Sequence, residues 1–143
     1  MLVDVLQILA SLSVILGVTF FIIEYRRRGR DLGYQTYLAA SQASIELEKI
    51  LIDHPDIRDV VEEKENVKYE NVPQTKYYYN SLMILFENVY LCWKKGWMAE
   101  DEWDGWAEWM KIMMERKDFQ KAWEEEKKLY SKSFIKYMDS LKE

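Results

Sequence analysis

The sequence predicts an all-α protein, an N-terminal transmembrane helix followed by a cytoplasmic helical bundle of about four to six helices. Three observations carry that expectation. Residues Val5 to Ile23 form an apolar run free of charge, and Arg26, Arg27, Arg28 and Arg30 follow at once. Beyond it, apolar residues recur at spacings of three and four through several long stretches, the period of helices with one buried face. Only five glycines and two prolines occur among 143 residues, so long elements are expected and tight hairpins are not.

The opening run comes first. Nineteen or so residues span about 28 Å as a helix, near the hydrocarbon thickness of a bilayer. A cleaved signal peptide is the competitor, but Met1-Leu2-Val3-Asp4 brings no Lys or Arg ahead of the run. The basic cluster lies after it and should stay on the cytoplasmic side. Residues 1–24 are therefore expected to be an anchor, N-terminus outside, in the cell membrane. Residues 25–33 form a basic juxtamembrane segment, and residues 34–143 an aromatic-rich cytoplasmic bundle. Within the run, Gln7 and Ser11 share a stripe with Asp4, while Ser13 and Gly17 lie on another. Small and polar residues so placed permit close helix–helix contact in a membrane.

A first bundle helix is expected from about Leu32 to Ile52. Tyr34, Leu38, Ser41, Ile45 and Ile52 share one face, and Ala39, Ala40, Ala43, Leu47 and Ile50 make a second, which suggests two neighbours. Gly29 and Gly33 permit either a bend or one long helix. Asp53-His54-Pro55-Asp56 stops that helix and starts another, about Pro55 to Glu65, with proline at its first position. A polar loop from Asn66 to Gln74 follows. The clearest element runs from about Thr75 to Lys95, with Tyr79, Leu82, Met83, Phe86, Val89, Tyr90 and Trp93 on one face; Gly96 stops it. Acids at Glu100, Asp101 and Glu102 open the next helix, where the helix dipole favours them. Asp118 begins the last section, and a break near Ser131 divides it.

Composition narrows the function classes. The net charge is −5, and the one dense basic cluster sits beside the apolar run, which disfavours nucleic acid as a partner. The single cysteine, Cys92, permits no intramolecular disulfide and reads as apolar filler. The single histidine, His54, offers neither a catalytic base beside a nucleophile nor the paired Glu-x-x-His of a di-iron bundle. No Gly-rich phosphate loop occurs. No catalytic residue, metal ligand or cofactor is assigned, and the chain is expected not to be an enzyme.

Two constellations remain. Glu87, with Tyr90, lies among Met83, Ile84 and Leu91 on the central helix. The structural reading is a polar clamp fixing the aromatic core; the functional one is a ligand site, which would make the chain a small-ligand sensor or enzyme. Trp103, Trp106, Trp109, Met110 and Met113 form a stripe that reads first as core. A groove for a partner helix is its other reading.

The segments His54-Pro55-Asp56-Ile57-Arg58 and Phe86-Glu87-Asn88-Val89-Tyr90, with Trp103, Trp106 and Trp109 after Gly96 and the closing Phe134-Ile135-Lys136-Tyr137, carry a resemblance. The chain resembles a group of uncharacterised bacterial and archaeal single-pass, membrane-anchored helical proteins, a domain of unknown function. That resemblance implies the architecture and supplies no catalytic residue. The expected function is a non-enzymatic interaction module. It would partner membrane lipid and either another membrane protein, as an accessory subunit of a membrane complex, or its own copies as a homo-oligomer.

Overall fold

The computed structural model describes residues 2–65 and 67–142, with side chains described from residue 16 onward except at Arg30. Six α-helices follow one another among them: α1 (Leu2–Asp53), α2 (Pro55–Val61), α3 (Gln74–Lys94), α4 (Glu100–Glu115), α5 (Lys117–Glu126) and α6 (Lys132–Ser140). Single 3-10 turns occupy Tyr69–Asn71 and Lys127–Leu129. The fold is all-α, a helical bundle with no strand among the described residues.

The bundle is organised around α3, which touches α1, α2, α4, α5 and α6. Its expected face is buried: Tyr79, Leu82, Met83, Phe86, Val89 and Tyr90 are all in the core, and half-buried Trp93 packs against it. Leu85, Tyr78 and Cys92 are buried as well, whereas Ile84 and Tyr77 point outward. The helix ends as its sequence requires. Gly96 takes φ +70° and donates its N–H to the Trp93 carbonyl, while Trp97 N–H reaches back to Cys92. Those two bonds are a Schellman cap, for which glycine is the residue of lowest strain.

Helix α1 is continuous for 52 residues, about 78 Å. It does not break at Gly29 and Gly33, and Gly33 serves packing instead. An added Cβ on Gly33 would stand 1.8 Å from the Trp97 carbonyl oxygen, and one on Gly29 would lie 3.8 Å from the Trp97 ring. The α3–α4 turn is thereby seated on α1. Below that contact, Ala40 and Leu47 are buried, and Tyr37, Ala43 and Ile50 pack against the core. Tyr34, Leu38, Ile45 and Ile52, the other expected face, are exposed. Among the described residues no helix is long and apolar enough to cross a membrane. Most of the Val5–Ile23 run lies outside the residues whose side chains are described, as do Gln7, Ser11 and Ser13. Gly17 is exposed and has open space around it.

Helix α2 is shorter than expected, ending at Val61 rather than Glu65. Glu63 adopts φ +55°, its N–H bonds to Val60 and that of Lys64 to Asp59, a second Schellman cap made without glycine. Its absent glycine is why the sequence hid the stop. His54 precedes Pro55 but makes no capping bond with its side chain. At the start of α4 the Glu102 carboxylate accepts the Ala99 N–H at 3.1 Å, half of a capping box, since alanine offers no acceptor in return. The break near Ser131 falls where expected, between the 3-10 turn and α6.

Three substitutions separate these backbone constraints by thermal or denaturant unfolding. Gly33→Ala is expected to destabilise by more than the intrinsic gain of alanine in a helix, because backbone must move. Gly105→Ala, with nothing near its Cβ, is expected to stabilise by about 0.5–1 kcal/mol. Glu63→Gly relieves a left-handed residue and is expected to stabilise by roughly 1 kcal/mol.

Candidate functional site

Glu87 is half-buried on α3, and its carboxylate accepts the Ser131 N–H at 2.6 Å. Ser131 is the residue before α6, so the carboxylate takes up one of the amide donors left open at that helix start. One turn further, Tyr90 donates its hydroxyl to the Ser133 carbonyl at 3.2 Å. Its ring meets Tyr137 at 5.1 Å, Phe134 at 5.5 Å and Trp103 at 6.2 Å. Glu87 and Tyr90 together fasten the 130–134 link to the central helix. Both partners are backbone groups of that link.

The Trp and Met stripe divides. Trp103, Met110 and Met113 are buried, and Trp103 stacks on Trp93 with centroids 4.3 Å apart and planes 10° from parallel. Trp106 and Trp109 are half-buried. Trp109 meets Phe86 edge-on at 5.1 Å. The two flank a shallow cleft of about 360 Å³ with Tyr37, Asp101, Glu102 and Gly105.

A polar knot that the sequence did not reveal lies at the single-residue joint between α4 and α5. Arg116 is extended there, its side chain only 12% exposed, and it pairs in two-pronged fashion with Asp118 (Nη2–Oδ2 2.9 Å, Nε–Oδ1 3.2 Å). Asp118 also accepts the fully buried Tyr79 hydroxyl at 2.6 Å and the Phe119 N–H at 2.8 Å. The remaining guanidinium donors go to the Val60 carbonyl at 3.0 Å and to that of Val61. Arg116 therefore caps α2 while it neutralises Asp118. Burial is the largest influence on Arg116 and opposes its charge, but the bond to Asp118 and the attraction of Tyr79, Asp118 and Glu63 together outweigh it and hold the guanidinium above its ordinary value. Burial first, and then donation to Asp118, pushes the Tyr79 hydroxyl far above the usual tyrosine range. Asp118 is two residues from Arg116, but Tyr79, Val61 and Val60 are 37, 55 and 56 residues away, and only the charge beside the apolar Met113, Met114 and Phe119 hinted at a buried role.

A second polar contact closes the other end. The Trp123 indole donates to Asp139 at 2.9 Å, and Lys127 and Lys142 flank the same carboxylate. Burial works against its charge, yet the indole and the two ammonium groups hold the Asp139 carboxyl below its ordinary value.

Cys92 is buried and free. Among the described residues no three of His, Cys, Asp or Glu are arranged to hold a metal ion. A cleft of about 700 Å³ lies between the α2–α3 loop and the start of α5, and acids and lysines alternate around it. Another, about 560 Å³, sits where α1 leaves the bundle, between Ile23, Tyr25, Arg26 and Gly29 and the turn Lys95-Gly96-Trp97. No family model matches the chain, and no curated protein or solved structure matches it.

Breaking the knot tests its worth. Arg116→Leu strands a buried carboxylate and is expected to cost about 3–5 kcal/mol by chemical denaturation. Lys121→Leu, which removes an exposed pair with Glu70, should cost under about 1 kcal/mol. At alkaline pH, folded Tyr79 stays protonated, and Tyr130 is pushed up to about 12 by burial, with Glu126 and Glu87 adding to it. Raised folded values mean the contribution is complete below pH ~10, where unfolded tyrosines are protonated, and is lost as pH rises from there toward 12. Stability should fall over that window, and Tyr79→Phe should flatten the fall; an unchanged slope would refute the account.

Proposed function

We propose that this chain is a non-enzymatic interaction module held at the cytoplasmic face of the cell membrane by the first half of α1. One observation supports the reading above others. Ahead of Gly29 the helix continues beyond the bundle with its apolar side chains outward: Leu16, Phe20 and Phe21 are 69%, 70% and 69% exposed, and Val18 and Ile23 are exposed too. An apolar helix surface of this kind needs a nonaqueous neighbour. The sequence extends the same character back to Val5. Arg26, Arg27 and Arg28 come directly after it, all exposed, with only Arg28 lightly paired, to Glu24 at 3.4 Å. That order of apolar run and cations suits an anchor with its C-terminal side in the cytoplasm.

The interaction role rests on α1 as well. Tyr34, Leu38, Ile45 and Ile52 lie outside the core, on a face that prolongs the stalk into the bundle. A membrane subunit or a second copy of the chain would cover it. The two versions differ at the stalk. In the self-associating version, Ser13 and Gly17 mediate close helix contact.

Membrane fractionation of the full chain tests the anchor. The protein is expected in the alkaline-carbonate-resistant pellet and to require detergent for release; recovery in the supernatant would overturn the reading. A cysteine at exposed Asp104 should react with a membrane-impermeant thiol reagent only after cells are opened, since native Cys92 is buried. Leucine at both Ser13 and Gly17 should abolish detergent-stable oligomers if copies pair, and should leave co-purification of a different subunit as the alternative outcome.

A further inference from the structure

We infer that the cleft at the exit of α1 is a binding site for the phosphate of an anionic phospholipid headgroup; this deepens, and rests on, the membrane reading above. The cleft exists because two glycines permit it. Gly33 lets the α3–α4 turn sit on α1, with the Trp97 ring over Gly29, and Gly96 at φ +70° turns the chain away again. What remains is a notch of about 560 Å³, within the range of small-molecule sites.

Its charge sets it apart from the other clefts. Arg26 enters from α1 and Lys95 from the opposite wall, and among the described residues no carboxylate lines it. Among the described residues neither cation has an acidic partner; the Lys95 ammonium instead lies 4.5 Å from the centre of the Trp97 ring. The larger cleft near α5 carries Lys64, Lys68, Lys117 and Lys121 against Glu63, Glu65, Glu70, Glu115 and Asp118, so it has no preference for an anion. A guanidinium offers the fork that a phosphate accepts, and a lysine adds a mobile point charge.

Position and lining select a lipid over a soluble phosphate ester. Arg26 is three residues past Ile23, the last of the apolar run, which is about 4.5 Å along the helix. That is headgroup depth for a helix whose apolar part ends at Ile23. Tyr25 and Trp97, aromatic residues of the type found at membrane interfaces, line the same notch. A bound lipid would place its phosphate between the cations and direct its chains past Ile23.

The full-length protein in uncharged maltoside micelles is the material for the test, and the thermal midpoint is the readout. Phosphatidylglycerol is expected to raise the midpoint in a concentration-dependent way, while phosphatidylcholine does not. The double variant Arg26→Gln, Lys95→Gln should need about tenfold more phosphatidylglycerol for the same shift. Arg27→Gln, exposed but outside the cleft, should lose clearly less. Equal midpoints of the lipid-free variants confirm that the fold is intact. An equal response to phosphatidylcholine, or an undiminished one in the double variant, overturns the site. Inorganic phosphate reproducing the whole shift overturns the lipid as ligand. A protein that sediments with membranes yet ignores phosphatidylglycerol refutes the cleft alone, whereas a protein in the carbonate supernatant refutes the anchor.

Discussion

The Arg116 guanidinium joins segments that chain connectivity leaves apart, and the arrangement of four helices follows from it. It closes the end of α2 through the Val60 and Val61 carbonyls, meets Tyr79 on α3, and pairs with Asp118 at the entrance of α5. Only one residue separates α4 from α5, so their crossing is set where that residue is held. Buried ion pairs often contribute little net stability, since desolvation offsets attraction. Here each guanidinium nitrogen has at least one acceptor, and Asp118 receives four donors in all. A network satisfied to that degree specifies one packing over others, because each alternative leaves a buried charge without a partner.

Around that knot, aromatic rings fill the space between helices. Tyr79 meets Phe119 edge-on at 5.2 Å, Phe119 meets Phe86, and Phe86 meets Trp109. At the other end of α3 the sequence Tyr90, Trp103, Trp93 forms a second group, joined to α6 through Tyr137 and Phe134. Aromatic pairs contribute about 0.5–1.5 kcal/mol beyond the area they bury. Their polar ends are also used, as Tyr79, Tyr90 and Trp123 each donate to a partner on another element. Wide rings with one polar edge suit a small bundle in which a single central helix must be covered by five neighbours.

What the sequence made legible was local. The buried face of α3, the glycine at its end, the acids opening α4 and the division before α6 all depend on residues within a turn or two of each other. The features that escaped it depend on distant partners. The stop of α2 uses Glu63 in a conformation that normally calls for glycine, and the capping guanidinium arrives from more than fifty residues away. Gly29 and Gly33 looked like candidates for a hinge because glycine weakens a helix. The actual service of Gly33, admitting the backbone of Trp97, is invisible without knowing that the α3–α4 turn returns to α1. Glu87 stands between these cases: its position on the central helix suggested a clamp, but the amide it holds could not be named.

The contact of Gly33 with Trp97 also decides how the proposed anchor would be coupled to the bundle. Because α1 is unbroken from Leu2 to Asp53, any rotation or tilt of its first half is carried into the half that packs on α3. Helix α1 is held to the bundle by Trp97 at one level and by Ala40 and Leu47 further down, so it cannot turn about its own axis without breaking that packing. A hinge at the glycines would have insulated the bundle from the stalk. The packing of Trp97 on Gly33 removes the hinge. An interaction in the stalk would therefore fix which way the exposed Tyr34, Leu38, Ile45 and Ile52 face points, and partners gathered there would meet the bundle in one orientation.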